Sequence, residues 1–332
     1  MSENAWPDVD VVMPVRNEAG HLEEALAAID EQAYPGTLRI VVAVGPSIDG
    51  TEEIADRLAA RRPDLTIVPS PTGTTPAGLN LAIRHGSAPI VLRVDGHSRL
   101  SPDYIARAVE TLTATGAVNV GGVQRAVGEG PMPRAIAAAM TSKFGTGGSR
   151  FHVGGRAGAV DTVYLGVFDR RAMEAAGLFD EHLHRNQDYE LNVRLRAAGG
   201  VVWFDPSLSV EYRPRDSLAH LARQYFQYGQ FKRRVLAMHP TSLRPRQAIA
   251  PIACSLVLAG TVIGARWRPA WLAPAGYVAA LSAAAMAEAR RHDVDPVRLA
   301  AALATMHFSW SAGLVRGPRT SRAIRNERAV ER

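Results

Sequence analysis

Cysteine is nearly absent from this chain, since Cys254 is the only one. A single cysteine excludes an intramolecular disulfide and favours a reducing compartment. The N-terminal residues also lack a basic segment followed by an apolar one, so we expect no export signal. Apolar residues make up 47% of the chain and charged residues 21%. That composition excludes a disordered chain and predicts a folded protein with a substantial core.

Acidic residues are scarce in the last third of the sequence. Residues 213–332 carry 19 Lys and Arg but only 6 Asp and Glu, whereas residues 1–100 carry 8 and 14, and residues 101–212 carry 11 and 12. The net charge of +6 therefore arises entirely in the last third. A basic region of this kind faces nucleic acid, anionic lipid or a phosphorylated partner. The arginines flank apolar runs and no known nucleic-acid-reading module is visible, which favours a membrane over nucleic acid.

Strands and helices alternate in the first half. Short β-branched runs predict strands at 9–15, 38–44, 65–68, 90–94 and 118–123, and helical apolar spacing predicts helices at 21–32, 51–61, 75–85 and 101–112. This alternation predicts an α/β fold with a mainly parallel central sheet covered by helices. The glycine-rich stretch 124–160 contains one predicted helix at 132–143. Further strands are predicted at 160–167 and 201–204, and further helices at 170–176, 188–198 and 216–238.

The C-terminal tail contains two long uncharged runs, 247–265 and 269–287, with arginines on either side. Trp267 lies between the runs, and Trp271 lies at the start of the second. A bilayer span needs about 20 mainly apolar residues, and tryptophans favour the membrane interface. We therefore expect two spans; the alternative is a buried helical hairpin of a soluble protein. A third stretch, 297–315, contains Arg298 and His307, and a third span would export the arginines beyond it. We expect that stretch to lie in the interface or to pack against the hairpin.

Polar side chains follow two predicted strands. The first strand ends in PVRNE at 14–18, and the strand at 90–94 leads into RVDGH at 93–97. The carboxyl ends of parallel strands meet at one sheet edge, where open α/β folds bind ligands. Asp95 and His97 could share one divalent cation there; oxygen ligands suit Mg²⁺ or Mn²⁺, and the imidazole favours Mn²⁺. Taken singly, each motif is also compatible with an ordinary polar turn.

Two further motifs lie on predicted helices. NQDYE at 186–190 places Asp188 at a helix N-terminus, where the dipole keeps a carboxylate ionised. Such a carboxylate could accept a proton from a hydroxyl group, although a simple N-cap is the alternative. QYFQYGQFKRR at 224–234 combines aromatic and basic residues on one helix. It could line a sugar or pyrophosphate site, or lie on a membrane surface.

The order and spacing of these motifs resemble the family 2 glycosyltransferases with the GT-A fold, over residues 8–235. Residues 11–18 match the opening strand motif, 47–51 the Ser-x-Asp-Gly-Thr turn, 95–97 the Asp-x-Asp position, 186–190 the Glu-Asp motif, and 227–231 the Gln-x-x-Arg-Trp element. The resemblance implies that Asp188 is the catalytic base and that Asp95 and His97 hold the metal. It also implies a set of donor-binding residues: Pro14, Arg16, Asn17, Glu18, Asp49, Arg93, Asp95 and Gln227. The sequence most resembles the succinoglycan-type exopolysaccharide branch of the family.

Five residues in three motifs depart from the family pattern. Val44 and Gly45 replace an aspartate pair of which one member usually recognises uracil, so the nucleotide base stays open. His97 replaces the second metal-binding aspartate. Gln230 and Phe231 replace Arg-Trp, which favours a single transfer over processive synthesis.

The resemblance implies an inverting transfer of a sugar from a nucleotide-sugar donor to an acceptor hydroxyl, with Mn²⁺ or Mg²⁺ at the diphosphate. The expected acceptor is a lipid-linked or glycan molecule. We expect a GT-A domain at 1–238 and a membrane-associated helical region at 239–332, on the cytoplasmic face of the membrane. One alternative is a sugar-phosphate nucleotidyltransferase, but residues 13–20 lack the glycines and the lysine of its phosphate loop. The other is a non-catalytic, membrane-anchored ligand-binding protein.

Overall fold

The computed structural model describes residues 6–317. Within them the chain forms two compact units: the first comprises residues 6–127 and 149–213, and the second residues 128–148 and 214–317. The predicted separation into 1–238 and 239–332 stays a prediction.

The first unit is built on one mixed sheet. Its strands are β1 (Val9–Val15), β2 (Leu38–Val44), β3 (Leu65–Pro69), β4 (Ile90–Arg93), β5 (Arg99–Leu100), β6 (Asn119–Ala126), β7 (Gly158–Ala159), β8 (Tyr164–Asp169) and β9 (Val202–Tyr212). The helices of this unit are α1 (Leu22–Asp30), α2 (Thr51–Ala59), α3 (Thr75–His85), α4 (Tyr104–Thr115), α7 (Arg150–Val153), α8 (Arg170–Ala175) and α9 (Gln187–Ala197). The helices of the second unit are α5 (Pro131–Thr141), α6 (Lys143–Thr146), α10 (Leu218–Met238), α11 (Pro245–Gly264), α12 (Leu272–His292) and α13 (Pro296–Arg316).

The strand order is β3-β2-β1-β4-β8-β6-β9-β5, with β7 also paired to β9. Strands β3, β2, β1 and β4 are parallel to one another, and β6 is parallel to β9. Strand β8 lies antiparallel between β4 and β6, and β5 and β7 are antiparallel to β9. The predicted α/β fold with a mainly parallel sheet is therefore confirmed.

Two predicted strands have different bounds in the structure. The run predicted at 160–167 forms a strand only at Tyr164–Asp169, and the strand predicted at 201–204 continues to Tyr212. The pairing of β9 with β6 shifts register between Gly121 and Val123. Near this shift the Asp205 carboxylate accepts hydrogen bonds from the backbone and the hydroxyl of Ser207. A bulge of this kind lets one strand continue through residues typical of a turn.

Apolar side chains cover both faces of the sheet. Along β1, Val11 and Met13 pack with residues of α1 and α4, whereas Val12 packs on the opposite face with residues of α3 and α9. Strands buried on both faces are near-continuous apolar runs, which is why the first four strands were predictable from composition.

Buried polar groups link the helices to the sheet. The fully buried carboxylate of Asp10 pairs with Arg170 at 2.6 Å and accepts the backbone N–H of Ala88 at 2.7 Å. Asn119 on β6 donates to Asn192 on α9 at 2.7 Å, and Asn192 donates to Thr162 at 3.0 Å. These bonds fix the position of α9 relative to the sheet.

In the second unit, α10 and α13 approach closely at two glycines. A Cβ atom on Gly229 would meet the backbone of Trp310, and one on Gly313 would meet the backbone of Phe226. Helix α13 also buries Leu299 and Met306. The third apolar stretch thus packs against α10. His307 on this stretch also lies 3.0 Å from the hydroxyl of Tyr277 on α12, which is one helix of the predicted hairpin.

Two helical stretches are long and apolar enough to cross a membrane: Pro245–Gly264 and Arg268–His292. These correspond to the two predicted spans. The arginines beyond residue 317, which argued against a third span, lie outside the described residues.

Candidate active site

The candidate site lies at the carboxyl edge of the parallel strands, in the first unit. The loops after β1, β2 and β4 meet there, and the N-terminus of α9 faces them through Asp188, which pairs with Arg93 at the end of β4. This is the edge at which open α/β sheets bind ligands.

The loops after β1 and β2 interlock through polar contacts. Asn17, which has a positive φ of 55°, accepts the N–H of Ile48, and its own N–H bonds the hydroxyl of Ser47. The carboxylate of Asp49 accepts the N–H of Ala19 at 3.0 Å and the hydroxyl of Thr51 at 2.6 Å. The bond from the Thr51 hydroxyl is the main reason that the pKa of Asp49 is lowered. Asn17 and Asp49, which were both predicted to bind the donor, therefore hold these two loops together. Their contact with the donor stays a prediction.

A close backbone approach accounts for the departure at Gly45. A Cβ atom at this position would lie 2.7 Å from the Cα of Gly73 in the loop after β3. The side chain of Arg16 lies beside both glycines, and its Nε donates to the carbonyl of Pro46 at 3.2 Å. An aspartate cannot replace Gly45 without moving the backbone. Pro14, the first residue of the PVRNE motif, is on β1 opposite Ala43 of β2.

The guanidinium of Arg93 joins two carboxylates that are 93 residues apart in the chain. Its Nε and Nη2 donate to Oδ1 of Asp95 at 3.1 and 2.8 Å, and its Nη1 donates to Oδ1 of Asp188. Arg93 is almost completely buried, with 6% of its side chain exposed, whereas that of Asp188 is 31% exposed. Asn186 is the N-cap residue of α9 and Asp188 lies in the first turn, so Asp188 is not a simple N-cap.

The two carboxyl groups differ in pKa although they share one arginine. Desolvation works to raise the pKa of Asp95, but the charges of Arg93, His97 and Arg185 outweigh it and lower that pKa below 3.8. Desolvation raises the pKa of Asp188 above 3.8, and the nearby Asp95 charge adds to the rise against the attraction of Arg93. An ionised carboxylate next to a stronger base suits a division of roles.

His97 faces Glu18 across the site. Its Nδ1 lies 2.8 Å from Oε1 of Glu18. A carboxylate only accepts hydrogen bonds, so Nδ1 of the imidazole carries the proton that Glu18 accepts. Outer carboxylates orient metal-binding histidines in this way. Sequence reasoning placed Glu18 at the donor and missed this pair, because its members are 79 residues apart.

The donor set fits a cation that is bound together with a substrate. Within residues 6–317, no three His, Cys, Asp or Glu side chains are grouped so that they could hold a metal ion. Asp95 and His97 offer one oxygen and one nitrogen, and Mg²⁺-type sites at phosphates commonly use only one or two protein ligands plus substrate oxygens. The residues therefore fit a cation that needs a diphosphate to complete its coordination.

Gln227, which was predicted to bind the donor, lies on α10 in the second unit.

Tyr164 on β8 was not predicted as a site residue. Desolvation raises the pKa of its buried hydroxyl well above 10, and the charge of Asp95 adds to the rise. Its ring packs edge-on against Tyr212 at 6.4 Å between centroids. No periodicity or motif in the sequence marks Tyr164, because β8 joins the sheet out of chain order.

The chain is similar in sequence to known glycosyltransferases. The sequence profile described as "Glycosyl transferase family 2" matches residues 10–175. The succinoglycan biosynthesis protein ExoA of Rhizobium meliloti (strain 1021) is 33% identical over 317 residues, covering 92% of this chain and 93% of that protein. Glycosyltransferase AglE of Haloferax volcanii is 27% identical over 246 residues, covering 74% and 79%.

Solved structures share the fold. The mannosyltransferase PcManGT from Pyrobaculum calidifontis, in complex with GDP-Man and Mn²⁺, has a TM-score of 0.63 at 23% identity and is matched over 95% of this chain and 90% of that chain. S. aureus TarS 1-349 in complex with UDP-GlcNAc has a TM-score of 0.54 at 14% identity, over 93% and 90%. The fold is thus that of the GT-A glycosyltransferases. The chain belongs to glycosyl transferase family 2.

Proposed function

We propose that this glycosyltransferase moves a sugar from a nucleotide-sugar donor to an acceptor hydroxyl with inversion at the anomeric carbon. The observation that carries the proposal is the pairing of Asp95 and Asp188 through Arg93 at the carboxyl edge of the sheet. It brings a metal-binding carboxylate and a partly exposed base together, as a direct displacement requires. The structural neighbours solved with GDP-Man and with UDP-GlcNAc support a nucleotide-sugar donor.

Asp188 is the proposed general base. As the acceptor oxygen forms its bond to the anomeric carbon, Asp188 takes the hydroxyl proton, and the bond from that carbon to the donor phosphate breaks. The nucleoside diphosphate leaves with the bonding electrons, and no covalent sugar–enzyme intermediate is formed. The raised pKa of Asp188 makes its carboxylate a stronger base than that of a free aspartate.

Asp95 and His97 are the proposed metal ligands, and the neighbour solved with Mn²⁺ supports a divalent ion. When bound, the cation would neutralise charge on the diphosphate leaving group. Glu18 holds the His97 ring with Nδ1 turned toward itself. The interlocked loops after β1 and β2 shape the edge at which the nucleotide would bind.

A membrane location is the second part of the proposal. The apolar side chains of α11 and α12 are largely exposed: Ile249 is 64%, Val262 68% and Leu272 77% exposed. A hairpin forming the core of a soluble protein would bury them. Helix α11 has 20 residues, about 30 Å at the α-helical rise, which matches the hydrocarbon core of a bilayer. We therefore place the protein in the membrane with its first unit in the cytoplasm, where nucleotide sugars are made.

The acceptor is proposed to be a lipid-linked or cell-surface glycan precursor. A membrane enzyme meets lipid-linked acceptors at its own surface, and the basic last third of the chain suits anionic lipid and lipid phosphates. The relative named as a succinoglycan biosynthesis protein supports a role in polysaccharide synthesis.

The test is a transfer assay with the full-length protein in detergent or nanodiscs. UDP- and GDP-linked sugars are supplied with Mn²⁺ and a membrane lipid extract, and nucleoside diphosphate release and labelled product are measured. We expect release from one donor class, loss of release with EDTA, and a product whose anomeric configuration is opposite to the donor's. Retention of configuration would contradict the mechanism, and full activity in EDTA would contradict the metal assignment.

A further inference from the structure

Arg93 binds one of the two carboxylate oxygens of Asp95, the proposed metal ligand, and so places a positive charge beside it. Two of its nitrogens, Nε and Nη2, converge on the same atom, Oδ1 of Asp95. Its remaining terminal nitrogen pairs with Asp188. A guanidinium does not lose its charge near neutral pH, so this fixed positive charge lies between the proposed metal ligand and the proposed base.

Arg93 is also held too tightly to move aside into solvent. It extends from the end of β4, its side chain is 6% exposed, and three of its five N–H donors are used by the two carboxylates. A divalent cation approaching Asp95 therefore meets a buried positive charge. Like charges a few ångströms apart repel strongly where water is partly excluded.

A donor diphosphate changes this balance. A nucleotide sugar brings two negatively charged phosphates, and these supply both oxygen ligands and compensating charge. The protein provides only Asp95 and His97, because no larger group of metal-binding side chains exists within residues 6–317. A cation alone would therefore find few ligands and a repelling positive charge. A cation bound together with the diphosphate would gain phosphate oxygens as ligands and negative charge that offsets Arg93.

We propose that Arg93 is a positioning residue that makes metal binding conditional on the donor, and that its fork sets the spacing between Asp95 and Asp188. This inference rests on the proposed function, since it concerns the same metal and base. It assigns two separable tasks to Arg93: its charge opposes the free cation, and its planar fork holds two carboxylates at once. A lysine retains the charge but cannot hold both carboxylates in the same geometry.

The experiment measures Mn²⁺ binding by electron paramagnetic resonance, with Mn²⁺ alone and with Mn²⁺ plus UDP or GDP. We expect wild-type protein to bind Mn²⁺ weakly alone and much more tightly with one of the nucleotides. Arg93→Gln should bind Mn²⁺ alone about tenfold more tightly, because the opposing charge is gone, and should depend less on the nucleotide. Its kcat should nevertheless fall, with little change in KM for the donor, because no guanidinium holds the Asp188 carboxylate in position.

Arg93→Lys separates the two tasks. We expect its Mn²⁺ affinity to match the wild type while its kcat falls about tenfold, since the fork is lost. Arg62→Gln is the matched control, because Arg62 also joins two aspartates, Asp30 at 2.6 Å and Asp64 at 2.7 Å, but lies between α2 and β3 at the opposite edge of the sheet. It should change neither Mn²⁺ affinity nor kcat.

The outcomes distinguish this inference from the proposed function. If wild-type protein binds no Mn²⁺ with either nucleotide, the proposed metal site is wrong and the inference falls with it. If the wild type binds Mn²⁺ with a nucleotide but Arg93→Gln binds Mn²⁺ alone no more tightly, only the role of Arg93 is overturned. Should Arg93→Gln not fold, the lysine variant decides: wild-type kcat in Arg93→Lys overturns the positioning role.

Discussion

The Nδ1 atom of His97 lies 2.8 Å from Oε1 of Glu18, so the last residue of the first motif holds the last residue of the second. The carboxylate fixes the orientation of the imidazole ring. A residue assigned to the donor by sequence thus orients the proposed metal ligand His97.

Glu18→Ala should weaken Mn²⁺ binding measured in the presence of UDP or GDP. Loss of an outer partner of a metal-binding histidine typically costs about 10- to 100-fold in affinity or activity. Glu53→Ala, at an exposed glutamate on α2, is the control and should have no effect. In a His97→Ala background, Glu18→Ala should cost nothing more, because the ring that it orients is gone. An equal loss in both backgrounds would show that Glu18 acts elsewhere.

Asp188→Asn should abolish transfer while leaving the donor KM nearly unchanged. The amide keeps the size of the side chain and can still accept a bond from Arg93, but it cannot take a proton. A general base contributes about 10²- to 10⁴-fold in rate. The measurement is kcat with the donor that the transfer assay identifies. Near-normal turnover in this variant would remove Asp188 from the mechanism.

The pH dependence should report the ionisation of Asp188. A raised pKa means that the carboxyl group stays protonated to a higher pH than a free aspartate, and the protonated form cannot act as a base. The rate should therefore fall as the pH decreases through this raised pKa. In a kcat/KM profile at saturating Mn²⁺, we expect an acidic limb with a midpoint above 3.8. A midpoint at or below that value would contradict the desolvation of Asp188, and the residual activity of Asp188→Asn should lack the limb.

Arg170→Met should destabilise the first unit strongly. The change leaves the carboxylate of Asp10 buried without its cation, and breaking a buried pair in this way costs about 3–5 kcal/mol. Arg171→Met is the matched control, because the neighbouring arginine is exposed and such surface changes usually stay within about 0.5 kcal/mol. Thermal unfolding of the detergent-solubilised protein should show a clearly lower Tm for Arg170→Met alone. Equal Tm values for the two variants would show that Asp10 finds another partner.

The topology of the C-terminal hairpin can be tested with reporters. If α11 and α12 both span, a reporter inserted between Trp267 and Pro269 should be external, and one fused at the C-terminus should be cytoplasmic. Arginines near a span prefer the cytoplasmic side, which places Arg290 and Arg291 inside. An external C-terminus would mean three spans. Release of the full-length protein from membranes by high salt alone would mean that neither helix spans.

The sequence by itself determined the parallel half of the sheet and the motif positions. The runs at 9–15 and 38–44 form strands with the predicted bounds, because buried parallel strands need apolar residues at nearly every position. The helix at 75–85 also has the predicted bounds. The two apolar helices of the tail were visible for the same reason, since a long uncharged run is a local property. The family resemblance likewise depended on short motifs whose order could be read directly.

Only the tertiary structure decided which side chains face one another. The pairing of Arg93 with Asp188 spans 95 residues, and that of Glu18 with His97 spans 79, so no local pattern encodes either. The antiparallel insertion of β8 between β4 and β6, which places Tyr164 near Asp95, is equally non-local. Local periodicity reports which face of an element is buried, whereas the partner of a buried charge depends on how distant elements pack. The chemistry of this site lies in those partners.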